Sequence, residues 1–276
     1  MYRFLRFPNF RCKAVTLSYD DGLVFDRRLI NILDEYGLKC TFNLNSESYP
    51  KEKGICLRLT KDEATELFLN SPHEVAIHGA NHISLATVGP EAVMRDVIID
   101  RQNLEKQFGR IIKGLAYASG SFNDDVVEVL KNCGINYART IISSNKFNLP
   151  IDWLRLMPTC RHCADNFDAL TDEFLSLEEG NPNHNNPPKL FYLWGHTFEF
   201  NDSNNWEVIE NFAKKVGNRN DIWYCTNGEL YDYVKAYKQL EYSFDGTILK
   251  NGTDTDVYLC YYGQRILIKA GEILRF

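Results

Sequence analysis

Two stretches of this 276-residue chain carry residues fit for hydrolytic chemistry. The first, residues 14–22, reads AVTLSYDDG: an apolar, β-favouring run delivers Asp20 and Asp21 to a glycine exit. Successive side chains on a strand face opposite ways, so adjacent carboxylates share one site only where the strand has just ended. There, one carboxylate can hold a metal while its neighbour takes a proton. The second stretch, EVAIHGANHISL, places His78 and His82 four residues apart. On a helical turn that spacing puts both imidazoles on one face, within reach of a single cation. Asp21, His78 and His82 together offer two nitrogens and one carboxylate oxygen. Three protein ligands leave a position for water, the layout of a hydrolytic rather than a structural metal site. A lone DDG is often only a turn, and a lone HxxxH is often two histidines on a helix surface. Here the two occur in order, each after an apolar strand, and a third histidine, His196, closes another (KLFYLWGH).

The elements that must position these groups alternate along the chain. Residues 25–36 read as an amphipathic helix with Leu29, Ile32 and Leu33 on its apolar face and Gly37 after it. Residues 39–45 are the next strand, and 60–70 a helix in which Thr60 and Glu63 form a capping box. Residues 74–78 are a short strand that ends at the first histidine. Residues 90–108 show the clearest helical spacing, with Gly109 as the stop. A strand at 115–117 runs into the turn ASGSFND, followed by a helix at 125–133 and strands at 137–142 and 154–157. Residues 182–188 form a turn-rich loop that carries a solvated His184. A buried strand at 189–195, a helix at 206–216, a strand at 222–225 and a helix at 227–237 complete the series. This alternation predicts an α/β domain, open sheet or barrel, whose ligands gather at the C-terminal strand ends. From about Leu240, short alternating runs with DG, NG, YG and AG turns predict a small antiparallel β appendage. The expected division is 1–238 and 239–276.

Bulk properties narrow the function classes. Apolar residues make up 44% and charged residues 25%, enough for a core without staples. A net charge of -6 and the lack of any dense Lys/Arg run argue against nucleic acid or an anionic membrane as partner. The eight cysteines read as reduced core residues, and the lone CxxC of Cys160 and Cys163 lacks the second half of a zinc ribbon. The N-terminus has no apolar segment of signal-peptide length, and no window reaches the ~20 apolar residues that span a bilayer. A cytoplasmic protein is expected. The pattern does not indicate an oligomeric state.

SYDDG, then HxxxH, then a Gly turn, then an apolar strand ending in His resembles the polysaccharide deacetylase (NodB-homology) family of carbohydrate esterases across residues 10–237. The resemblance implies a distorted (β/α)7 barrel of the polysaccharide deacetylase type and metal-dependent removal of acetyl groups from N-acetylated or O-acetylated carbohydrate. It makes Asp20 the general base, His196 the general acid, and Asp21, His78 and His82 the ligands of a divalent metal, most often Zn2+. Trp194 matches an apolar residue that touches the acetyl methyl. Tyr117, Ser119 and Gly120 match a motif that binds substrate, with the Tyr117 N–H expected to hold the oxyanion. That motif commonly reads Arg-x-Pro-Tyr-Gly, whereas residues 116–120 here read AYASG. Arg139 and Arg161 are the candidates to replace its arginine. Asp152–Trp153 matches by letters a motif whose aspartate orients the catalytic histidine. His162 reads as structural or surface, and His73 as a solvated loop residue. Two rival readings stand: hydrolysis of another linear or cyclic amide at the same site, or a catalytically impaired carbohydrate-binding member that has lost the motif arginine. With no export signal, a nucleotide- or lipid-linked sugar fits better than a cell-wall polymer.

Overall fold

The computed structural model describes residues 3–178 and 187–276; His184 and most of the loop expected at 182–188 lie outside them. In chain order the elements are β1 (Arg3–Arg6), β2 (Lys13–Asp20), α1 (Asp26–Glu35), β3 (Cys40–Leu44), α2 (Lys61–Phe68), β4 (Glu74–Ile77), α3 (Pro90–Phe108), β5 (Gly114–Ala116), α4 (Asp124–Asn132), β6 (Tyr137–Arg139), β7 (Cys160–Arg161), α5 (Phe167–Ser176), β8 (Lys189–Gly195), α6 (Thr197–Asp202), α7 (Glu207–Val216), β9 (Ile222–Tyr224) and α8 (Asn227–Lys238). Five short strands follow: β10 (Glu241–Tyr242), β11 (Ile248–Lys250), β12 (Val257–Tyr261), β13 (Gln264–Ile268) and β14 (Ile273–Arg275).

The main sheet is parallel, in the order β6-β5-β4-β3-β2-β8-β7, with β9 also on β2. Every residue of β2 is buried, as expected for a strand covered on both faces. β8 pairs along one edge of β2 from Lys13 to Tyr19. The other edge is shared: β3 pairs with Leu17–Asp20 and β9 with Lys13–Val15. The sheet curls because residues between β6 and β7 reach both ends of the order. Leu156 bridges Arg139 and donates its N–H to Ala138 O (2.9 Å), while Thr159 N–H donates to Tyr192 O in β8 (2.8 Å). The result is a distorted (β/α) barrel.

Local chemistry sets several boundaries. Thr60 and Glu63 form the expected capping box on α2, and Gly109 closes α3 at φ 63°, a conformation glycine adopts without strain. Two expected strands are corrected. Residues 140–142 leave the sheet after Arg139, and the Ile141 side chain takes the space beside Gly120, where a Cβ would come within 2.4 Å of it. Residues 153–155 form a single 3₁₀ turn instead of a strand, capped by the Asp152 carboxylate. The cysteines form no disulfide, but Cys56 and Cys163 are exposed and so are not core residues.

The last strands form two three-stranded antiparallel sheets, β1-β12-β13 and β10-β11-β14. The first strand of the chain therefore lies among the last. The Tyr233 hydroxyl on α8 ties this region to the barrel, donating to Arg6 O (2.7 Å) and accepting from Tyr258 N–H (3.0 Å). Among the described residues, no helix is long and apolar enough to cross a membrane.

Candidate active site

Asp20 is the last residue of β2, and the backbone inverts immediately after it: Asp21 has φ 83° and Gly22 φ 64°. That inversion brings both carboxylates to one side, because the alternation of a strand no longer applies. Aspartate tolerates the left-handed region better than most residues, and here Arg58 holds it there. The Arg58 guanidinium donates to Asp21 O (2.6 Å), Asp21 Oδ1 (2.7 Å) and Asn45 Oδ1 (2.8 Å).

His78 and His82 do not lie on a helical turn, as their spacing suggested. Gly79 at φ 80° and His82 at φ 54° fold the segment into a loop at the end of β4. The loop's shape is fixed from outside. Asp100 on α3 accepts His78 N–H (3.1 Å) and Ser46 N–H (2.8 Å), and Asp96, one turn earlier, accepts Asn81 N–H (3.1 Å). Asn45 donates to the carbonyls of His78 (2.8 Å) and Gly79 (2.7 Å). Burial pushes the Asp100 carboxyl up to about 7.

The ligand atoms of Asp21, His78 and His82 lie within 4.8 Å of one another. His78 Nδ1–H donates to Ala116 O (2.8 Å), which leaves Nε2 with its lone pair toward Asp20 and the cluster. Burial lowers the proton affinity of the His78 imidazole, and Asp20 and Asp21 oppose that only in part. A neutral imidazole is the form that binds metal. Two imidazole nitrogens and one carboxylate, with the tautomer of one ring fixed by a carbonyl, fit a divalent cation such as zinc.

Asp20 faces the same space. Its Oδ2 lies 3.8 Å from both His78 Nε2 and His196 Nε2. Asn43 donates to Oδ1 (2.8 Å), and the buried Arg139 guanidinium pairs with Oδ2. Burial alone would raise this carboxyl, but Arg139, helped by His78 and His196, reverses the effect and holds it at about 2. Arg139→Leu is therefore expected to raise it above its ordinary range. If Asp20 is the group that must be ionised for turnover, the acid limb of the rate–pH profile should then move upward by roughly one pH unit or more. A rate–pH profile checks this; an unmoved acid limb would separate Arg139 from the reaction.

His196 follows β8, with Nε2 3.9 Å from Asp21 Oδ2. Burial lowers the proton affinity of its imidazole, against the pull of the two aspartates. Trp194 packs edge-on to it, at 5.9 Å between ring centroids, with the guanidinium carbons of Arg139 and Arg161 4.5 and 5.1 Å from the indole centroid. The structure thus brings Asp20, Asp21, His78, His82, Trp194, His196 and Arg139 together.

Two expectations are corrected. Tyr117 is wholly buried, its hydroxyl donates to Leu154 O (2.7 Å) and its N–H to Arg139 O (3.0 Å) in the β5–β6 ladder. Neither group is available to an oxyanion. In the same turn, the N–H of Ser119 has no hydrogen-bond partner among the described residues, while Gly120 N–H is spent on Tyr117 O (2.9 Å). Asp152 does not face His196: its carboxylate accepts Leu154 N–H (2.9 Å) and pairs with Arg155 (2.5 Å) at the surface. His162 and His73 are both buried, so the latter is no solvated loop residue; His73 Nδ1 accepts Cys40 N–H (3.1 Å).

Several supporting groups escaped sequence reasoning. Arg58, Asn43, Asn45 and Asp100 carry no motif signal of their own. Glu199 could have been found: it stands three residues after His196 at the start of α6 and accepts the His196 N–H (3.2 Å), a capping-box spacing.

The comparisons bear on this arrangement. A polysaccharide deacetylase family model matches residues 8–138. No curated protein matches the chain. Among solved structures, it is similar to a candidate polysaccharide deacetylase from Mycobacterium smegmatis (17% identity over 85% of this chain and 94% of that one, TM-score 0.60). It is also similar to a family 4 acetyl xylan esterase from Clostridium thermocellum in complex with a cobalt ion (15% identity, 80% and 91%, TM-score 0.51). A third likeness is to BA3943, a pseudoenzyme of the same esterase family from Bacillus anthracis (16% identity, 83% and 68%, TM-score 0.52). At these identities the structures speak for the fold alone. The sequence match covers the strands and loops that carry Asp20, Asp21, His78 and His82, and the barrel around them is the one those structures share. Residues 8–138 thus resemble the polysaccharide deacetylase family in sequence, and the barrel as a whole has the fold of these structures.

Proposed function

We propose that this protein is a metal-dependent hydrolase that removes acetyl groups from an N-acetylated or O-acetylated carbohydrate. The observation that carries the reading is the juxtaposition of three ligand atoms within 4.8 Å with a fourth, separately held carboxylate, Asp20, and a third imidazole, His196. A purely structural metal site has no use for the last two.

Asp21, His78 and His82 would hold the metal, which when bound polarises a carbonyl and acidifies water. Asp20, kept ionised by Arg139, accepts the proton of the attacking water. The N–H of Ser119 is the candidate donor to the oxyanion in place of Tyr117. His196, as the imidazolium, gives its Nε2 proton to the departing amine or alkoxide as the bond to the acyl carbon breaks, so that acetate and the freed sugar leave. Trp194 would form the apolar wall for the acetyl methyl. Arg139 supplies from β6 the charge that the family commonly takes from its third motif, which argues against the catalytically impaired reading. Residues 1–238 contain every group used, and 239–276 contribute none.

The test is acetate release from a panel of N-acetylated and O-acetylated saccharides, with formamides and cyclic amides alongside, before and after removal and return of divalent metal. Acetate release that disappears with the metal and comes back with it is expected. Turnover of the cyclic or formyl amides alone would transfer the site to the other class of amide, and no hydrolysis by the metal-loaded protein would overturn the reading.

A further inference from the structure

The acidic group that the family resemblance led one to expect behind His196 is missing, since Asp152 is committed at the surface. Another carboxylate occupies the neighbourhood. Glu199 Oε2 lies 3.2 Å from the His196 N–H, 3.7 Å from His196 Nδ1 and 3.2 Å from His162 Nε2, and Oε1 pairs with Arg161. His196 Nδ1 is buried and makes no hydrogen bond among the described residues. We propose that Glu199 is the positioning residue for the general acid, receiving the Nδ1 proton of His196 so that Nε2 points to the substrate. The proposal rests on the reading of His196 as the acid.

The surroundings are built for that role. Glu199 is held by Arg161 at the end of β7 and lies against the ring of His162 beside it. His162 is stacked on Phe200 (centroids 4.0 Å apart) and near-parallel to Tyr19 (5.7 Å). Burial pushes His162 down to about 3, with Arg161 and His196 adding to the effect, so the ring is neutral. Its Nδ1 pairs with the Tyr19 hydroxyl (3.2 Å), and its Nε2 lies 3.2 Å from Glu199 Oε2 without making a hydrogen bond to it. Gly195 is required for this packing: a Cβ there would fall 2.0 Å from His162 Nδ1. The glycine before His196 thus makes room for the ring that lies against the carboxylate behind His196. The 3.7 Å separation is longer than a hydrogen bond, and catalytic contacts of this kind are commonly long until substrate is bound.

The bland alternative is that Glu199 only caps α6. Glu199→Gln separates the two, because glutamine serves a capping box as well as glutamate does but carries no charge to hold the Nδ1 proton. In the metal-loaded protein, kcat of Glu199→Gln should fall at least ~10-fold with KM and metal content unchanged, and Glu199→Asp should recover part of the loss. The 15N signals of His196 in histidine-labelled protein, assigned with His196→Ala, should shift from the Nδ1–H form in wild type to a mixed form in Glu199→Gln. If those signals do not change, the positioning role is overturned whatever happens to the rate. If they change while His196→Ala itself turns over normally, Glu199 still orients the ring and it is the acid reading of His196 that falls.

Discussion

Asp20→Asn is expected to leave metal content near that of the wild type and to slow acetate release at least ~10³-fold, within the range that positioned acid–base groups supply. The substitution is isosteric. The Asn43 contact to Oδ1 can persist, and none of the three ligand atoms is touched. What disappears is the carboxylate that faces both His78 Nε2 and His196 Nε2 and is not needed as a ligand. A neutral amide cannot take a proton from water at any useful pH. The cost to the fold is separable: Arg139 is left as a buried, unpaired cation, and breaking such a pair typically destabilises by about 3–5 kcal/mol. Thermal unfolding should register that loss while the protein stays folded at assay temperature. Elemental analysis and initial rates on the same preparation decide the matter. A variant with full metal and near-normal acetate release would remove Asp20 from the reaction.

The same pair of residues shows how far the sequence could be read. Asp20 and Asp21 were legible because a strand of β-formers ends there on a glycine, and the hydrophobic pattern that marks strand ends also marks where barrel sites collect. His196 was legible for the same reason. Arg139 could be named only as a candidate, because its contact with Asp20 depends on how β6 sits across the barrel from β2, a separation of 119 residues in sequence. The loop of His78 and His82 was misread as a turn of helix because HxxxH spacing is compatible with both. Gly79, whose positive φ a helix cannot use, was the signal that separated them. Tyr117 was misassigned for a different reason. Its letter matches a motif rich in aromatics, but its N–H belongs to the β5–β6 ladder, and ladder partners are set by register, which the residues around the turn do not encode. Arg58 and Asp100 lay beyond reach, since each acts on a loop distant in the chain and neither stands in a recognisable spacing.

His78→Ala is expected to remove both metal and turnover, and so to complement Asp20→Asn. His78 is the most constrained of the three candidate ligands. It is buried, its Nδ1–H is committed to Ala116 O, and its main-chain N–H is held by Leu44 O (2.8 Å) and Asp100. Those main-chain bonds survive the substitution, so the end of β4 should keep its course. The lost ring leaves a cavity and an unpaired carbonyl at Ala116, costs on the order of 1–3 kcal/mol for the unsatisfied group. Metal affinity should fall by more than the 10–100-fold typical of losing a group behind a ligand, enough to empty the site at micromolar metal. His82→Ala provides the control: its ring is part-exposed and makes no hydrogen bond among the described residues, so it should lose metal with little change in stability. If His78→Ala keeps a full equivalent of metal while His82→Ala does not, the ligand set is not the one assigned. If both lose metal and Asp20→Asn retains it, holding the cation and moving the proton are divided between adjacent carboxylates at the end of one strand, a division made possible by the backbone inversion at Asp21.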